Sequence, residues 1–160
     1  MTDGMADRTT DRTTDDVVRE IQSCFDEAGV WGWLHATDLH DTHRQIALHP
    51  DEPVALASVY KLPLLVAYAR MVDAGDLDPT EPVTLDPGRR TAGTTGFAAM
   101  ADPVTVSWRD LGRSMIALSD NAAADALLAT VGLDRVRAVC EDLGLHGTRI
   151  TGGSADLFEA

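Results

Sequence analysis

Hydrophobic side chains recur along this chain at the three- to four-residue spacing of α-helices in five places. The first helix is predicted over about residues 15–28 and ends before Gly29. Four more helices are predicted over about residues 58–73, 107–118, 122–131 and 134–143. The helix that begins near Ser58 is apolar on nearly every side, which is typical of a helix buried at the centre of a domain.

Two segments rich in β-branched and aromatic residues predict an antiparallel hairpin. VWGWLHAT (30–37) and RQIALH (44–49) are separated by a polar turn. Residues 76–106 are predicted to be mostly irregular, and residues 145–160 to form a loop with room for a short strand around 148–150. No other convincing strand is predicted. The order of helix, hairpin and then helices favours a segregated α+β fold over alternating strands and helices.

The composition adds a strong negative charge. The formal net charge of -13 disfavours nucleic acid and anionic membranes as partners. No apolar run approaches the length of a membrane span, and no secretory signal is visible. The chain as written is therefore expected to be cytoplasmic, or extracytoplasmic if its true start lies upstream. Residues 1–14 repeat Asp-Arg-Thr-Thr and predict a disordered tail, which leaves 15–160 as one domain.

The spacing of the two cysteines and the five histidines does not indicate a metal-binding site. Cys24 and Cys140 both fall on predicted apolar helix faces, which favours two small buried side chains over a disulfide. No Cys or His spacing resembles a zinc site. Neither a metal nor a cofactor is predicted.

The strongest chemical signal is the segment ASVYKLPLL (57–65), which contains the only lysine in the chain. Ser58 and Lys61 are three residues apart, so on a helix they share one face. Burial and the positive end of a helix both favour a neutral lysine amine, which can then act as a base. Free backbone N–H groups at the same helix end can bind an oxyanion. The alternative is a helix cap followed by a surface lysine.

A second signal is the tripeptide Ser119-Asp120-Asn121. By itself it is explained by a turn that ends a helix, because all three residue types favour caps and turns. Beside a serine–lysine pair it has a chemical interpretation. The Ser119 hydroxyl could relay a proton to a leaving group, Asn121 could hold a substrate amide, and Asp120 would brace the loop through backbone hydrogen bonds.

Together, ASVYKLPLL and ALSDNAAADALL resemble the class A serine β-lactamases and the related penicillin-binding DD-peptidases, whose signature includes Ser-x-x-Lys and Ser-Asp-Asn. The resemblance runs from about residue 17 to 150. It implies an α/β lobe, to which residues 15–57 contribute a helix and a two-stranded part of an antiparallel sheet. It also implies a helical lobe, formed by residues 58–160, with the remaining strands of the sheet after the end of this chain.

The resemblance also implies roles for the site residues. Ser58 is the expected acylated nucleophile, Lys61 its activating neighbour and Ser119 the proton relay. Asn121 is expected to bind the substrate amide, and Asp120 has a structural role. The implied reaction opens a β-lactam ring through an acyl-enzyme, which water then releases.

Two elements of the family pattern are not found in the chain. Its single lysine is already used, so the Lys-Thr-Gly motif is absent, and weak or no activity is expected from these residues alone. When residues 148–150 are aligned with the similar passage of the family, Ser154 falls near the position of the deacylating glutamate. Glu159 lies several residues too late, and Asp156 is a weaker candidate. An enzyme without this base would be acylated and then stall.

Three functions therefore remain open. The first is a β-lactamase-like hydrolase, and the second is a penicillin-binding DD-peptidase or an esterase-like acyl transferase. The third is a non-catalytic binding or structural module. The expected substrate is a β-lactam or a peptide resembling those of peptidoglycan. Because a lone hairpin is marginal and exposes its edge, a homodimer or a complementing C-terminal segment is an expected partner.

Overall fold

A computed structural model describes residues 12–159 and divides them into two compact units, residues 12–55 and 56–159. Most of the predicted tail, 1–14, lies outside the described residues. Its last residues belong to the first helix, because the Thr13 hydroxyl accepts from the Asp16 backbone N–H and the Asp16 carboxylate accepts from the Thr13 N–H. Such a reciprocal cap satisfies two backbone donors at a helix start.

The first unit consists of one helix and the predicted hairpin. Helix α1 spans Thr14–Ala28 and ends at Gly29, whose φ of 65° is left-handed. Strand β1 (Leu34–Thr37) pairs with β2 (Gln45–Leu48) in antiparallel register, so that Leu34 lies opposite Leu48. This confirms the hairpin, although β1 begins at Leu34, four residues later than predicted.

The second unit is largely helical. Its five helices are α2 (Lys61–Ala74), α3 (Trp108–Ala117), α4 (Asn121–Val131), α5 (Leu133–Asp142) and α6 (Ser154–Glu159). Helix α3 begins at the predicted cap, where Ser107 Oγ accepts from the Asp110 N–H. The core contains side chains that are fully enclosed, among them Leu64 of α2, Leu111 of α3 and Leu127 of α4. Helix α2 is therefore central, as its apolar sequence predicts.

Two predictions for the irregular segments were wrong. Residues 82–85 and 104–107 form a second antiparallel pair, β3 (Pro82–Leu85) and β4 (Val104–Ser107), where no strand was expected. Four-residue strands joined by a long connection leave little local pattern to detect. Around 148–150 there is no strand; instead a short helix, α6, starts at Ser154.

The prediction for the cysteines was right for only one of them. Cys140 is buried in the core of the second unit, and burial raises the pKa of its thiol. Cys24 is exposed, because no residue of α1 is buried. Both thiols are free. Among the described residues, no helix combines the length and the hydrophobicity needed to cross a membrane.

Candidate active site

Ser58 lies on a tight turn immediately before α2. Residues Ala57–Tyr60 form a 3₁₀ turn, and the α-helix begins only at Lys61, later than predicted. Ala57 has a left-handed φ of 44°, a conformation that is uncommon for a residue with a Cβ and is often found at functional sites. The Ser58 side chain is exposed, so a substrate can reach its hydroxyl.

The Lys61 side chain is almost completely enclosed, with a relative exposure of 2%. Its Nζ donates to the Ser119 carbonyl at 2.7 Å, to Ser119 Oγ at 3.1 Å and to Asn121 Oδ1 at 2.9 Å. All of these acceptors belong to the Ser-Asp-Asn segment. The three hydrogen bonds of the Lys61 amine thus go to Ser119 and Asn121, so the amine is linked to Ser58 through Ser119.

Ser119 connects the lysine to the exposed serine. Its Oγ donates to Ser58 Oγ at 3.0 Å while it accepts from Lys61. Ser119 also has a left-handed φ, of 53°. A hydroxyl with one proton and two lone pairs can both donate and accept, so the three groups form a continuous path for a proton.

The charge on Lys61 is disfavoured by its surroundings. Burial lowers the pKa of the Lys61 amine, and the carboxylates of Asp120 and Asp125 oppose this effect only in part. A lysine becomes a useful base when its neutral form is accessible near the working pH. The enclosure of the amine and its path to Ser58 therefore supply the two properties that a general base requires.

Asp120 holds the loop between α3 and α4 in place. The side chain is fully buried, and its carboxylate accepts from the Phe97 N–H at 2.6 Å and from Ser114 Oγ at 2.7 Å. It also accepts from the backbone N–H groups of Ala98 and Ala123. The neighbours of Asp120 in sequence are Ser119 and Asn121, so this carboxylate fixes the backbone that carries both.

Asn121 is contacted by Ser154, which in turn contacts Tyr60, and neither residue was among the predicted site residues. Ser154 Oγ donates to Asn121 Oδ1 at 3.1 Å, and Ser154 Oγ also lies 2.9 Å from the Tyr60 hydroxyl. Burial is the main reason that the pKa of the Tyr60 phenol is raised. The placement of Ser154 opposite a family glutamate was the only signal that could have drawn attention to it.

The carboxylates beside Ser154 are occupied in holding the backbone. Asp125 accepts from the Ser154 N–H at 2.7 Å and from the Ala155 N–H at 2.9 Å, and it also bonds to the Thr91 hydroxyl. Asp156 accepts from the Gly153 N–H at 2.7 Å. Glu159 ends α6, but its side chain is not among those that the structure describes. Among the described residues, no group of three or more His, Cys, Asp or Glu side chains could hold a metal ion.

Comparison with known proteins gives one consistent result. The family described as "Beta-lactamase enzyme family" matches residues 16–159. A β-lactamase regulatory protein, BlaB of Streptomyces cacaoi, is 27% identical over 147 residues, which are 91% of this chain and 47% of that protein. The β-lactamase of Sphaerobacter thermophilus is 25% identical with a TM-score of 0.76, covering 85% of this chain and 51% of that one.

Two other solved structures share the fold at lower identity. PBP-A, in a variant captured as an acyl-enzyme complex with penicillin G, has a TM-score of 0.75 at 22% identity and covers 91% of this chain and 55% of its own. An ancestral class A enzyme has a TM-score of 0.74 at 23% identity, covering 88% and 54%. The chain thus spans about half the length of the proteins it matches.

Proposed function

The chain belongs to the beta-lactamase enzyme family, and from this premise we propose that Ser58 forms a covalent acyl-enzyme with a β-lactam. The observation that carries the proposal is the hydrogen-bonded path from the exposed Ser58 hydroxyl through Ser119 Oγ to the enclosed Lys61 amine. It provides a nucleophile, a proton relay and a base of lowered pKa, which together are the requirements of nucleophilic catalysis.

The first step transfers a proton away from Ser58. Neutral Lys61 has one lone pair and two N–H groups. In the observed arrangement Lys61 Nζ donates to Ser119 Oγ, and Ser119 Oγ donates to Ser58 Oγ. When the amine is neutral, its two N–H groups stay on the Ser119 carbonyl and Asn121 Oδ1, and its lone pair accepts the Ser119 hydroxyl proton. Both hydroxyl groups then rotate, so that Ser58 donates to Ser119 and Ser119 donates to Lys61. Ser119 passes that proton to Lys61 and takes one from Ser58, while Ser58 Oγ attacks the lactam carbonyl.

The second step opens the ring. The tetrahedral carbon regains its double bond to oxygen, and the lactam C–N bond breaks. The proton returns from Lys61 through Ser119 Oγ to the leaving nitrogen, so that the base ends neutral and the ring nitrogen gains a hydrogen. Asn121 contributes its amide to hold a substrate carbonyl. The product is an ester between Ser58 and the opened β-lactam.

A second function, stable penicillin binding, is favoured by the surroundings of Ser154. Release of the acyl group needs a base that activates water. The side chain that the resemblance puts near the position of the family glutamate is a serine, Ser154. The nearby carboxylates of Asp125 and Asp156 both accept from backbone N–H groups. We therefore expect acylation to be followed by slow release.

The proposed acylation is tested by labelling with a fluorescent penicillin. We expect labelling of this chain that is slow but depends on Ser58, and Ser58→Ala should abolish it. Slow labelling is expected because these residues contain no Lys-Thr-Gly motif, and one donor to the oxyanion is missing with it. The loss of one such donor costs about 10²–10³ in rate. Gel fluorescence after hours of incubation gives the measurement. Labelling of Ser58→Ala at the wild-type rate would exclude the assignment.

Slow release makes a separate prediction. We expect Ser154→Glu to shorten the lifetime of the acyl-enzyme at least about tenfold, because a positioned general base contributes about 10²–10⁴ in rate. Ser154→Gln, which has the same shape without a basic carboxylate, is the matched control and should leave the adduct long-lived. The lifetime is read from the loss of adduct mass after excess penicillin is removed. Equal lifetimes for the Glu and Gln variants would contradict the idea.

A further inference from the structure

A cavity of about 350 Å³ lies in the second unit, apart from the residues proposed for acylation. Strand β3, the segment that follows it, helix α4 and the start of α6 all contribute to its lining. The lining does not include Ser58, Lys61, Ser119 or Asn121. Small-molecule sites in proteins commonly have volumes from about 300 Å³ upward, so the cavity is large enough for a small ligand.

Part of the lining is apolar and consists of small side chains. Ala122, Ala126 and Ala129 follow one another at intervals of four and three residues, so they share one face of α4. Leu85, the last residue of β3, is buried and also lines the cavity. Because each alanine ends in a methyl group, this face of α4 leaves space for the apolar body of a ligand, whose burial is favourable.

Two consecutive arginines, Arg89 and Arg90, supply the positive charge of the lining. Both lie on a defined turn, because their backbone N–H groups donate to the Asp86 carbonyl at 3.1 Å. The Arg90 guanidinium donates to the backbone carbonyls of Asp102, at 3.2 Å, and of Met100. Arg89 is exposed, and among the described residues no hydrogen bond or ion pair engages its side chain. Its planar guanidinium can therefore pair with the carboxylate of a ligand through two parallel hydrogen bonds.

Two aspartates in the lining limit the charge of the ligand that fits. Asp125 is engaged by the backbone N–H groups of Ser154 and Ala155 and by the Thr91 hydroxyl. Asp86 is exposed, and its charge opposes the approach of an anion. Because the two aspartates balance the two arginines, the lining has no formal net charge. A ligand with one negative charge and an apolar body therefore fits the cavity better than a dianion such as phosphate.

We propose that this cavity binds a small organic carboxylate. The carboxylate group pairs with the Arg89 guanidinium, and the apolar body packs against the alanines of α4. The volume of the cavity, its apolar face and an arginine held on a defined turn carry the assignment. It does not depend on the proposed acylation of Ser58, because the residues proposed for that reaction do not line the cavity.

Benzoate and benzamide test the assignment, because they have the same shape and differ in charge. Each is added to ¹⁵N-labelled chain at constant ionic strength, and the backbone N–H signals are followed by NMR. We expect benzoate to cause saturable shifts at Arg89, Thr91 and Ala126, and none at Ser58. Benzamide should bind about 3- to 10-fold more weakly, the effect of one net hydrogen bond. Benzoate shifts centred on Ser58 instead, or no saturable shift, would overturn the assignment.

Variants that change the charge test the role of the arginine. Arg89→Gln should weaken benzoate binding about 3- to 10-fold, whereas Arg113→Gln should leave it unchanged. Arg113 is an exposed arginine of α3 that does not line the cavity, so both variants remove one positive charge. Asp86→Asn should strengthen binding about 2- to 4-fold, because it removes an exposed negative charge near the ligand. Equal losses in Arg89→Gln and Arg113→Gln would indicate a general charge effect and would overturn the assignment.

The cavity itself is tested by filling it. Ala129 lines the cavity and is exposed, so Ala129→Leu places a larger side chain in the space proposed for the ligand without crowding the core. The variant should no longer show the saturable benzoate shifts. Unchanged benzoate binding in the folded variant, or inorganic phosphate bound as tightly as benzoate by the wild type, would overturn the assignment. If Ala129→Leu does not fold, the comparison of Arg89→Gln with Arg113→Gln decides the question.

Discussion

Replacing Lys61 by alanine is expected to slow acylation of Ser58 by about 10²–10⁴, the usual contribution of a general base. The amine is the end of the proton path, and without it the Ser58 proton can only go to water. The substitution also removes the donors to the Ser119 carbonyl and to Asn121 Oδ1. The rate is measured as growth of the penicillin adduct by intact-protein mass spectrometry.

Lys61→Arg separates the charge of the side chain from its basicity. Arginine can donate to the same oxygens, but it stays protonated at accessible pH, so it should not restore acylation. The wild-type rate should rise with pH and level off at an apparent pKa below the 10.5 of an unperturbed lysine, because burial favours the neutral amine. An active Lys61→Arg variant, or a wild-type rate that is flat with pH, would exclude Lys61 as the base.

Asp120→Ala is expected to destabilise the second unit by about 3–5 kcal/mol. The substitution deprives the backbone N–H groups of Phe97, Ala98 and Ala123, and the buried Ser114 hydroxyl, of their acceptor. Each buried group left unsatisfied costs about 1–3 kcal/mol, although relaxation and water recover part of the sum. Set against a typical domain stability of about 5–15 kcal/mol, the loss is severe. Urea unfolding followed by circular dichroism measures it.

Two further variants show whether burial of the carboxylate causes the effect. Asp110→Ala removes an exposed aspartate that accepts from Ser107 Oγ at the start of α3, and should cost less than about 1 kcal/mol. Asp120→Asn keeps the shape of the side chain and one acceptor oxygen. Its loss of stability should therefore fall between those of Asp110→Ala and Asp120→Ala. Equal stability of the Asp110→Ala and Asp120→Ala variants would show that the loop does not depend on this carboxylate.

The sequence predicted helices α2 to α5 well because the relevant signals are local, whereas the short helix α6 was missed. The cap at Ser107, the stop at Gly132 and the apolar surface of α2 all lie within the elements they define. Strands β3 and β4 were missed for the opposite reason. Each has four residues, β3 begins with a proline, and their pairing depends on residues about twenty positions apart. Such non-local pairs are not encoded in a local pattern.

The candidate site shows the same division between local and distant information. The spacing of Ser58 and Lys61 and the tripeptide at 119–121 indicated which residues meet. The sequence could not reveal that Ser119 lies between the other two, because that depends on how α2 packs beside the loop after α3. Nor could it reveal the hydrogen bonds of Ser154, which follow from the anchoring of its backbone by Asp125.

The account is tested most directly by locating the covalent bond. The chain is incubated with excess benzylpenicillin, digested, and sequenced by tandem mass spectrometry. We expect an increase equal to the whole mass of the penicillin on the peptide that contains Ser58, because ring opening adds the ligand without losing any atoms. The same peptide in Ser58→Ala should be unmodified. An adduct confined to another residue, or no adduct on Ser58 after prolonged incubation of folded protein, would contradict the proposal that this serine is an acylated nucleophile.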